Sequence, residues 1–353
     1  MHKVMVEKIV LYAFLIQGLI LSYTISSYIS GGGQIFISNY NMTMQWQDLG
    51  IALNITGKST YYPTPLVKPQ VTPYNEQGEE PTYYSFLYRD ETGGLQFILF
   101  FTNFTLTSAT VNGTSIPAIK FYNGNSYLII SAQYGFPIKG VAYNYISSLR
   151  LQAVDNISIN MTGINPLPPL EKSGSLYKLT LKLSPNVTES VYVVTPQANI
   201  SAKSVTHELE NKTYSLAAIN LESKDYITVI IPIDEFPLVE PTGTVIVNGS
   251  NYFFKMNEST TPFGTYYQSI PGNTSNPYMG FTIGKYFLLV FPSGGNISII
   301  LQNLKNPLVS YQVTDLSSPY YPFTEFLQQY WIVLVMVIVL AVVVTVILKH
   351  RRG

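Results

Sequence analysis

The chain has 353 residues and no net formal charge; only 11% are charged, while 46% are hydrophobic and 14% aromatic. An ordinary globular chain has about 25% charged residues. This balance excludes a disordered chain, which would be aromatic-poor and charge-rich, and a nucleic-acid binder, which needs a basic face. There is no cysteine, which removes disulfides, thiolate metal sites and a catalytic thiol.

Lys3 and Lys8 precede an almost wholly apolar stretch, Ile9–Ile25, followed by small residues. A basic start, an apolar core and small residues describe a secretory signal. It is expected over residues 1–26, with cleavage near Ser26; an uncleaved N-terminal anchor is the alternative. Gly31-Gly32-Gly33 then reads as a flexible leader.

No helical period stands out between Gly31 and Glu325. Short runs rich in Val, Ile, Tyr, Phe and Thr recur instead, broken by Gly, Pro and Asn: Gln34–Ser38, Leu95–Leu106, Tyr127–Ala132, Leu176–Leu183, Ser190–Val194, Tyr226–Ile233, Thr244–Val247, Tyr252–Met256, Phe281–Phe291 and Ile297–Leu301. Such spacing predicts antiparallel strands packed as sandwiches. Asn112-Gly113, Asn123-Gly124 and Asn248-Gly249 signal two-residue hairpin turns, which favour positive φ. The stretch 61–84, rich in Tyr and Pro and carrying Glu79-Glu80, is expected to be a long unpaired loop. The proline-rich segment 166–174 is expected to link two β-sandwich domains, 31–165 and 175–316. The predicted fold is therefore all-β: two tandem antiparallel β-sandwich, Ig-like domains followed by one C-terminal transmembrane helix.

A short stalk, 317–325, leads to that helix, expected over 326–348. Trp331–Leu348 has Thr345 as its only polar side chain. At a helical rise of 1.5 Å per residue it spans roughly 27 Å, close to a bilayer core. Tyr330 and Trp331 stand where an interfacial aromatic belt belongs. Lys349, His350, Arg351 and Arg352 follow at once, and basic residues stay on the cytoplasmic side. The tail 349–353 is thus expected inside and the rest outside, in a single-pass plasma-membrane topology. Without Lys3, Glu7 and Lys8 of the leader and Lys349, Arg351 and Arg352 of the tail, the central segment keeps 15 basic and 19 acidic residues.

With 24 Asn and 61 Ser plus Thr, chance would give roughly four N-x-S/T acceptor sequences. There are thirteen: Asn41, Asn54, Asn103, Asn112, Asn156, Asn160, Asn186, Asn199, Asn211, Asn248, Asn257, Asn273 and Asn296. All lie between the hydrophobic ends, as expected of a glycosylated exterior. Sugars would solvate a surface that few charges serve.

The search for chemistry is mostly empty. His207 is the one histidine between the ends, too few for a zinc site, and no Gly-x-Ser-x-Gly elbow accompanies it. Asp90-Glu91, Asp234-Glu235 and Glu79-Glu80 are adjacent acids, but neighbours on a strand point to opposite faces. No catalytic residue, metal or cofactor is expected. The paired tyrosines Tyr61-Tyr62, Tyr83-Tyr84, Tyr266-Tyr267 and Tyr320-Tyr321 suit strands first and adhesive surfaces second.

This combination, with the Lys-His-Arg-Arg tail, resembles cell-surface glycoproteins of thermoacidophilic archaea. Asn220–Pro232 is similar to the late strand of Ig-like domains in archaeal S-layer-associated proteins. The resemblance implies a non-enzymatic, anchored surface glycoprotein whose partners are the lipid bilayer and other envelope or membrane proteins, with no nucleic acid. A tethered acid hydrolase using two carboxylates, an accessory or sensing subunit of a membrane complex, and a virion surface glycoprotein are the alternatives.

Few carboxylates are available to titrate, so acid has little purchase on the fold. The glycosylated ectodomain is expected to show no cooperative unfolding between neutrality and pH 3, followed by circular dichroism; a sharp transition in that range would contradict this.

Overall fold

The computed structural model describes residues 18–47, 50–63, 67–80, 101–148, 151–209, 212–232, 242–255, 257–261, 264–268, 277–301 and 306–317. Every regular element among them is a β-strand. The all-β class stands. Residues 318–353, with the expected membrane helix and basic tail, lie outside the described set, as do residues 1–17.

The first region forms one antiparallel sheet of nine strands. These are β1 (Ile20–Gly31), β2 (Gln34–Gln47), β3 (Gly50–Tyr62), β4 (Gln70–Glu80), β5 (Asn103–Val111), β6 (Thr114–Asn123), β7 (Ser126–Ser131), β8 (Pro137–Ser148) and β9 (Leu151–Asn165). Their order is β4-β3-β2-β1-β9-β8-β7-β6-β5. Two meanders thus run outward from a seam between β1 and β9. Side chains alternate along β1, with one register shift against β9 between Ser22 and Tyr23. Leu21, Tyr23 and Ile25 are buried, while Thr24, Ser26 and Tyr28 face water.

Turn chemistry fixes the register. Asn112-Gly113 and Asn248-Gly249 have positive φ at both residues, as the primed hairpin turn requires. The expected turn at Asn123-Gly124 sits one residue later: Asn123 pairs with Ser126, and Gly124 supplies the positive φ. Gly32-Gly33 is no leader but the tight turn between β1 and β2, both residues at positive φ.

The described strands bear on two further expectations. Cleavage near Ser26 would cut through β1, which pairs along its whole length with both β2 and β9. It would remove the buried Leu21, Tyr23 and Ile25. At about 1.5–3 kcal/mol for each buried side chain, that loss rivals the roughly 5–15 kcal/mol that holds a whole domain together. Any processing compatible with this sheet falls before Leu19. The stretch 61–84 is not wholly a loop either, since Gln70–Glu80 pairs with β3 as the sheet's edge strand. Pro73 is tolerated there because an edge strand leaves one row of N–H groups unpaired.

The second region builds two sheets. The six-stranded sheet contains β10 (Ser175–Leu183), β11 (Val187–Thr195), β14 (Ile227–Pro232), β19 (Met279–Ile283), β20 (Tyr286–Phe291) and β22 (Leu308–Asp315). The five-stranded sheet contains β12 (Asn199–Leu209), β13 (Lys212–Ser223), β15 (Thr242–Val247), β16 (Ser250–Lys255) and β21 (Gly295–Leu301). A small hairpin joins β17 (Asn257–Thr261) to β18 (Gly264–Gln268). The run Phe281–Phe291 is two strands, not one, turned at Gly284. There φ is +57 and a Cβ would lie 2.2 Å from the Phe101 carbonyl oxygen, so only glycine fits.

These sheets pack in layers. Ile230, Leu288 and Val290 share one core with Leu21, Tyr23 and Phe121 of the nine-stranded sheet. Val229, Ile231 and Leu289, the alternate residues of the same strands, share a second core with Leu221 and Ile299. The six-stranded sheet is therefore covered on both faces, which is why Ile227–Pro232 and Tyr286–Phe291 show no polar alternation. The first region is a single sheet whose apolar face shares its core with the six-stranded sheet of the second region.

The segment 166–174 carries no strand, yet it is held in place. The Tyr134 hydroxyl donates to the Pro169 carbonyl at 2.5 Å, and the buried Gln133 accepts from the Glu171 N–H at 3.0 Å. Gln133 also reaches the Pro292 carbonyl at 3.5 Å, so one side chain ties the connector to the six-stranded layer.

A chain lacking residues 1–26 is expected to lose its cooperative thermal transition, whereas one lacking residues 1–17 retains it. Melting curves by circular dichroism separate the two; a cooperative melt from the shorter chain would contradict the placement of β1.

Candidate functional site

The feature that stands out is the solvent face of the nine-stranded sheet and the asparagines it carries. Asn41, Asn54, Asn156 and Asn160 lie inside β2, β3 and β9. In each acceptor sequence the middle residue, Met42, Ile55, Ile157 or Met161, is buried in the core. A strand's period of two therefore sends Asn and its Ser or Thr partner together to the water side.

Register places these groups in rows. Thr24 of β1 stands between Asn41 and Asn160. Neighbouring strands are about 4.8 Å apart, which sets the two acceptors roughly 10 Å from each other. Asn54 pairs with Thr43 and Gln77 in the adjacent row. Asn156 has a different setting, between Tyr28 and Tyr143.

The remaining described acceptors lie at turns and strand starts. Asn112, Asn186 and Asn248 have φ of 49°, 67° and 50°, a left-handed conformation that asparagine tolerates. Asn103 and Asn199 open β5 and β12, and Asn296 is the second residue of β21. The Asn248 amide oxygen accepts from the Asn296 N–H at 2.9 Å, so the fold uses that amide through its oxygen and not through the nitrogen a sugar would take. Ten of the thirteen acceptors have described side chains; eight are exposed, Asn156 and Asn248 are half-buried, and none is buried. Asn211 and Asn273 lie outside the described residues, and of the Asn257 side chain nothing is described.

Tyr330, Trp331, Lys349, Arg351 and Arg352 also lie outside the described residues. Among those described, no helix is long and apolar enough to cross a membrane, and no group of three or more His, Asp or Glu could hold a metal ion. His207 pairs with Tyr214 in the β12–β13 ladder. The adjacent acids Asp90-Glu91 and Asp234-Glu235 fall outside the described residues.

Several tyrosines serve packing. Tyr61 stacks on Phe36 with ring centroids 4.4 Å apart. The Tyr23 hydroxyl donates to the Pro137 carbonyl at 2.8 Å within the core. Tyr278 packs edge-on to Tyr252 at 6.0 Å and tilted on Phe291 at 5.5 Å. Burial, with Tyr252 adding to it, pushes the Tyr278 hydroxyl up to about 12. Burial likewise raises Tyr226, whose hydroxyl is packed against Gly174.

No protein-family model matches the chain, and no curated protein sequence does. Solved structures similar to it include MucB in complex with the periplasmic part of MucA, at 9% identity and a TM-score of 0.21, covering 86% of this chain and 96% of that one. The Pseudomonas aeruginosa MucA/MucB complex is matched at 9% identity and a TM-score of 0.21, over 87% and 96%. Likeness at that level carries no argument about fold or function.

The raised Tyr278 value has a definite sign. Its neutral phenol belongs to the folded state, so its contribution is complete below the unfolded value of 10.0 and lost as pH climbs toward about 12. A rise of that size corresponds to roughly 3 kcal/mol. Chemical denaturation from pH 9 to 12 is expected to show stability falling with pH, and falling less steeply in Tyr278→Phe; equal slopes would contradict the assignment.

Proposed function

We propose that the chain is a single-pass, N-glycosylated surface protein, its β-layers outside the cell and its C-terminus in the cytoplasm. Its role is structural, adhesive or partner-binding within the envelope, alongside other membrane or envelope proteins. The six- and five-stranded sheets form the face-to-face pair that we read as the Ig-like part. The nine-stranded sheet covers that pair and presents the broad polar face. We read the whole as a surface glycoprotein of the kind found in thermoacidophilic archaea, non-enzymatic and without a cofactor.

The observation that carries this reading is the placement of the acceptor asparagines. An excess of acceptor sequences has no consequence if the fold hides them. Here no described acceptor side chain is buried, and four share one sheet face with their hydroxyl partners. A glycan is bulky and hydrophilic and needs such an outlook. The sparse charge of the chain supports the same reading, because sugars would supply the solvation that ionised groups supply elsewhere.

The test is direct. The full chain is produced in a host that attaches N-linked sugars, and intact cells are treated with an impermeant protease. The β-layers are expected to be attacked from outside or shielded only by sugar, with mass spectrometry finding carbohydrate on several of the thirteen asparagines. A chain without carbohydrate and untouched by protease until the cells are lysed would overturn the reading.

A further inference from the structure

We propose that Asn156 is a built glycan seat: its sugar lies between the rings of Tyr28 and Tyr143 and is held by them. This inference rests on the glycosylation reading above and names one site within it.

Asn156 is half-buried although its neighbours on the strand show which way it points. Ile157 is buried at 1% exposure, so Asn156 projects from the opposite, outer face. Tyr28 on β1 is directly across from it on one side and Tyr143 on β8 on the other. Directly opposed residues have Cβ atoms about 5 Å apart, within reach of a sugar's first ring. Both tyrosines are on the outer face, since Ser27 and Ala142 beside them are buried. Tyr28 and Tyr143 are 41% and 50% exposed, large aromatic residues that no layer of the described residues covers. Beyond Tyr28 the row continues through Ile37 and Thr60 to Val71, itself 60% exposed.

An exposed apolar row on an otherwise polar face calls for a cover. The covalent sugar supplies one. The C–H face of a pyranose is apolar and lies flat on an aromatic ring, while its hydroxyls remain in water, much as aromatic platforms hold flat partners elsewhere. The hydroxyl partner of the acceptor sequence, Ser158, shares the same outward parity.

The other acceptors on this face lack that arrangement. Asn160 stands between Thr24 and Lys139, Asn41 between Thr24 and Thr56, and Asn54 between Thr43 and Gln77. Asn103, at the start of the edge strand β5, has an aromatic neighbour on one side only, Tyr122. The aromatic pair at Asn156 therefore makes a specific difference in expectation: a sugar at Asn156 is coupled to the sheet, and one at Asn160 is not.

The experiment uses the full chain from a glycosylating host. It compares thermal midpoints of the parent, Asn156→Gln, Asn160→Gln, the double variant Tyr28→Ser Tyr143→Ser, and that double variant combined with Asn156→Gln. Site occupancy is read by mass spectrometry. Asn156→Gln is expected to lower the midpoint by roughly 2 °C in the parent and by nothing further when both tyrosines are serine, while Asn160→Gln leaves the parent's midpoint unchanged. Replacing the tyrosines by phenylalanine is expected to preserve the parent behaviour, because the ring does the holding. Sugar on other acceptors with Asn156 bare, or an Asn156 effect indifferent to the tyrosines, would overturn this proposal and leave the surface-glycoprotein reading intact. A chain with no sugar at any acceptor would overturn both.

Discussion

The structure depends on one constraint: a strand has two faces, and among the described residues only one face of the nine-stranded sheet packs against another layer. Leu21, Tyr23, Met42, Met44, Ile157 and Ile159 fill the inner face. The residues between them have no partner layer among the described residues and are exposed or half-buried, so they must be content in water. In a chain with so few charges, that role falls to Asn, Thr and Ser. The acceptor sequences on β2, β3 and β9 are therefore a product of the same two-residue period that builds the core. Shifting any of these strands by one residue would drive asparagine inward and methionine or isoleucine outward.

A second consequence concerns how a long chain without cysteine, and without a described helix, closes its cores. The six-stranded layer is shared. Its strands β14 and β20 give alternate side chains to two different cores. Neither neighbouring sheet could bury its apolar face without it. Polar contacts pin the layers where the packing changes hands: the Thr228 hydroxyl donates to the Ala132 carbonyl at 2.5 Å, and the Tyr286 hydroxyl donates to the Thr102 carbonyl at 2.5 Å. Each such buried group is satisfied by backbone of another layer, so the hydrogen bonds that avoid a desolvation penalty also fix how the layers meet.

Much of the second region was legible in the sequence. Leu176–Leu183, Tyr226–Ile233 and Ile297–Leu301 are β-rich runs bounded by turn residues, and each overlaps most of one strand. The Asn-Gly pairs at 112 and 248 marked hairpins correctly because their backbone needs are local. What was not legible depended on distant partners. β1 continues an apolar leader, so its alternation was hidden inside what reads as a secretion signal, and only pairing with β9 exposes it. β4 carries a proline, a glycine and three acids, which argue against a strand in isolation but are tolerated at an edge. The sharing of one layer between two cores left a trace in the unbroken apolar run of β20, which alone cannot be told from an ordinary buried strand. The acceptor asparagines were legible one by one. That Asn156 sits between two tyrosines was not, since strand register is invisible to spacing along the chain.

The absence of cysteine permits a direct measurement of the central claim. Single cysteines are introduced at Thr24 and Gln45, on the outer face, and at Leu21 and Met44, on the inner face, and intact cells carrying the full chain are exposed to an impermeant thiol reagent. Labelling at the outer pair on intact cells, with the inner pair reacting only after denaturation, is the expected result. Equal labelling of both pairs would contradict the one-sided sheet, and no labelling before lysis would contradict the proposed place outside the cell.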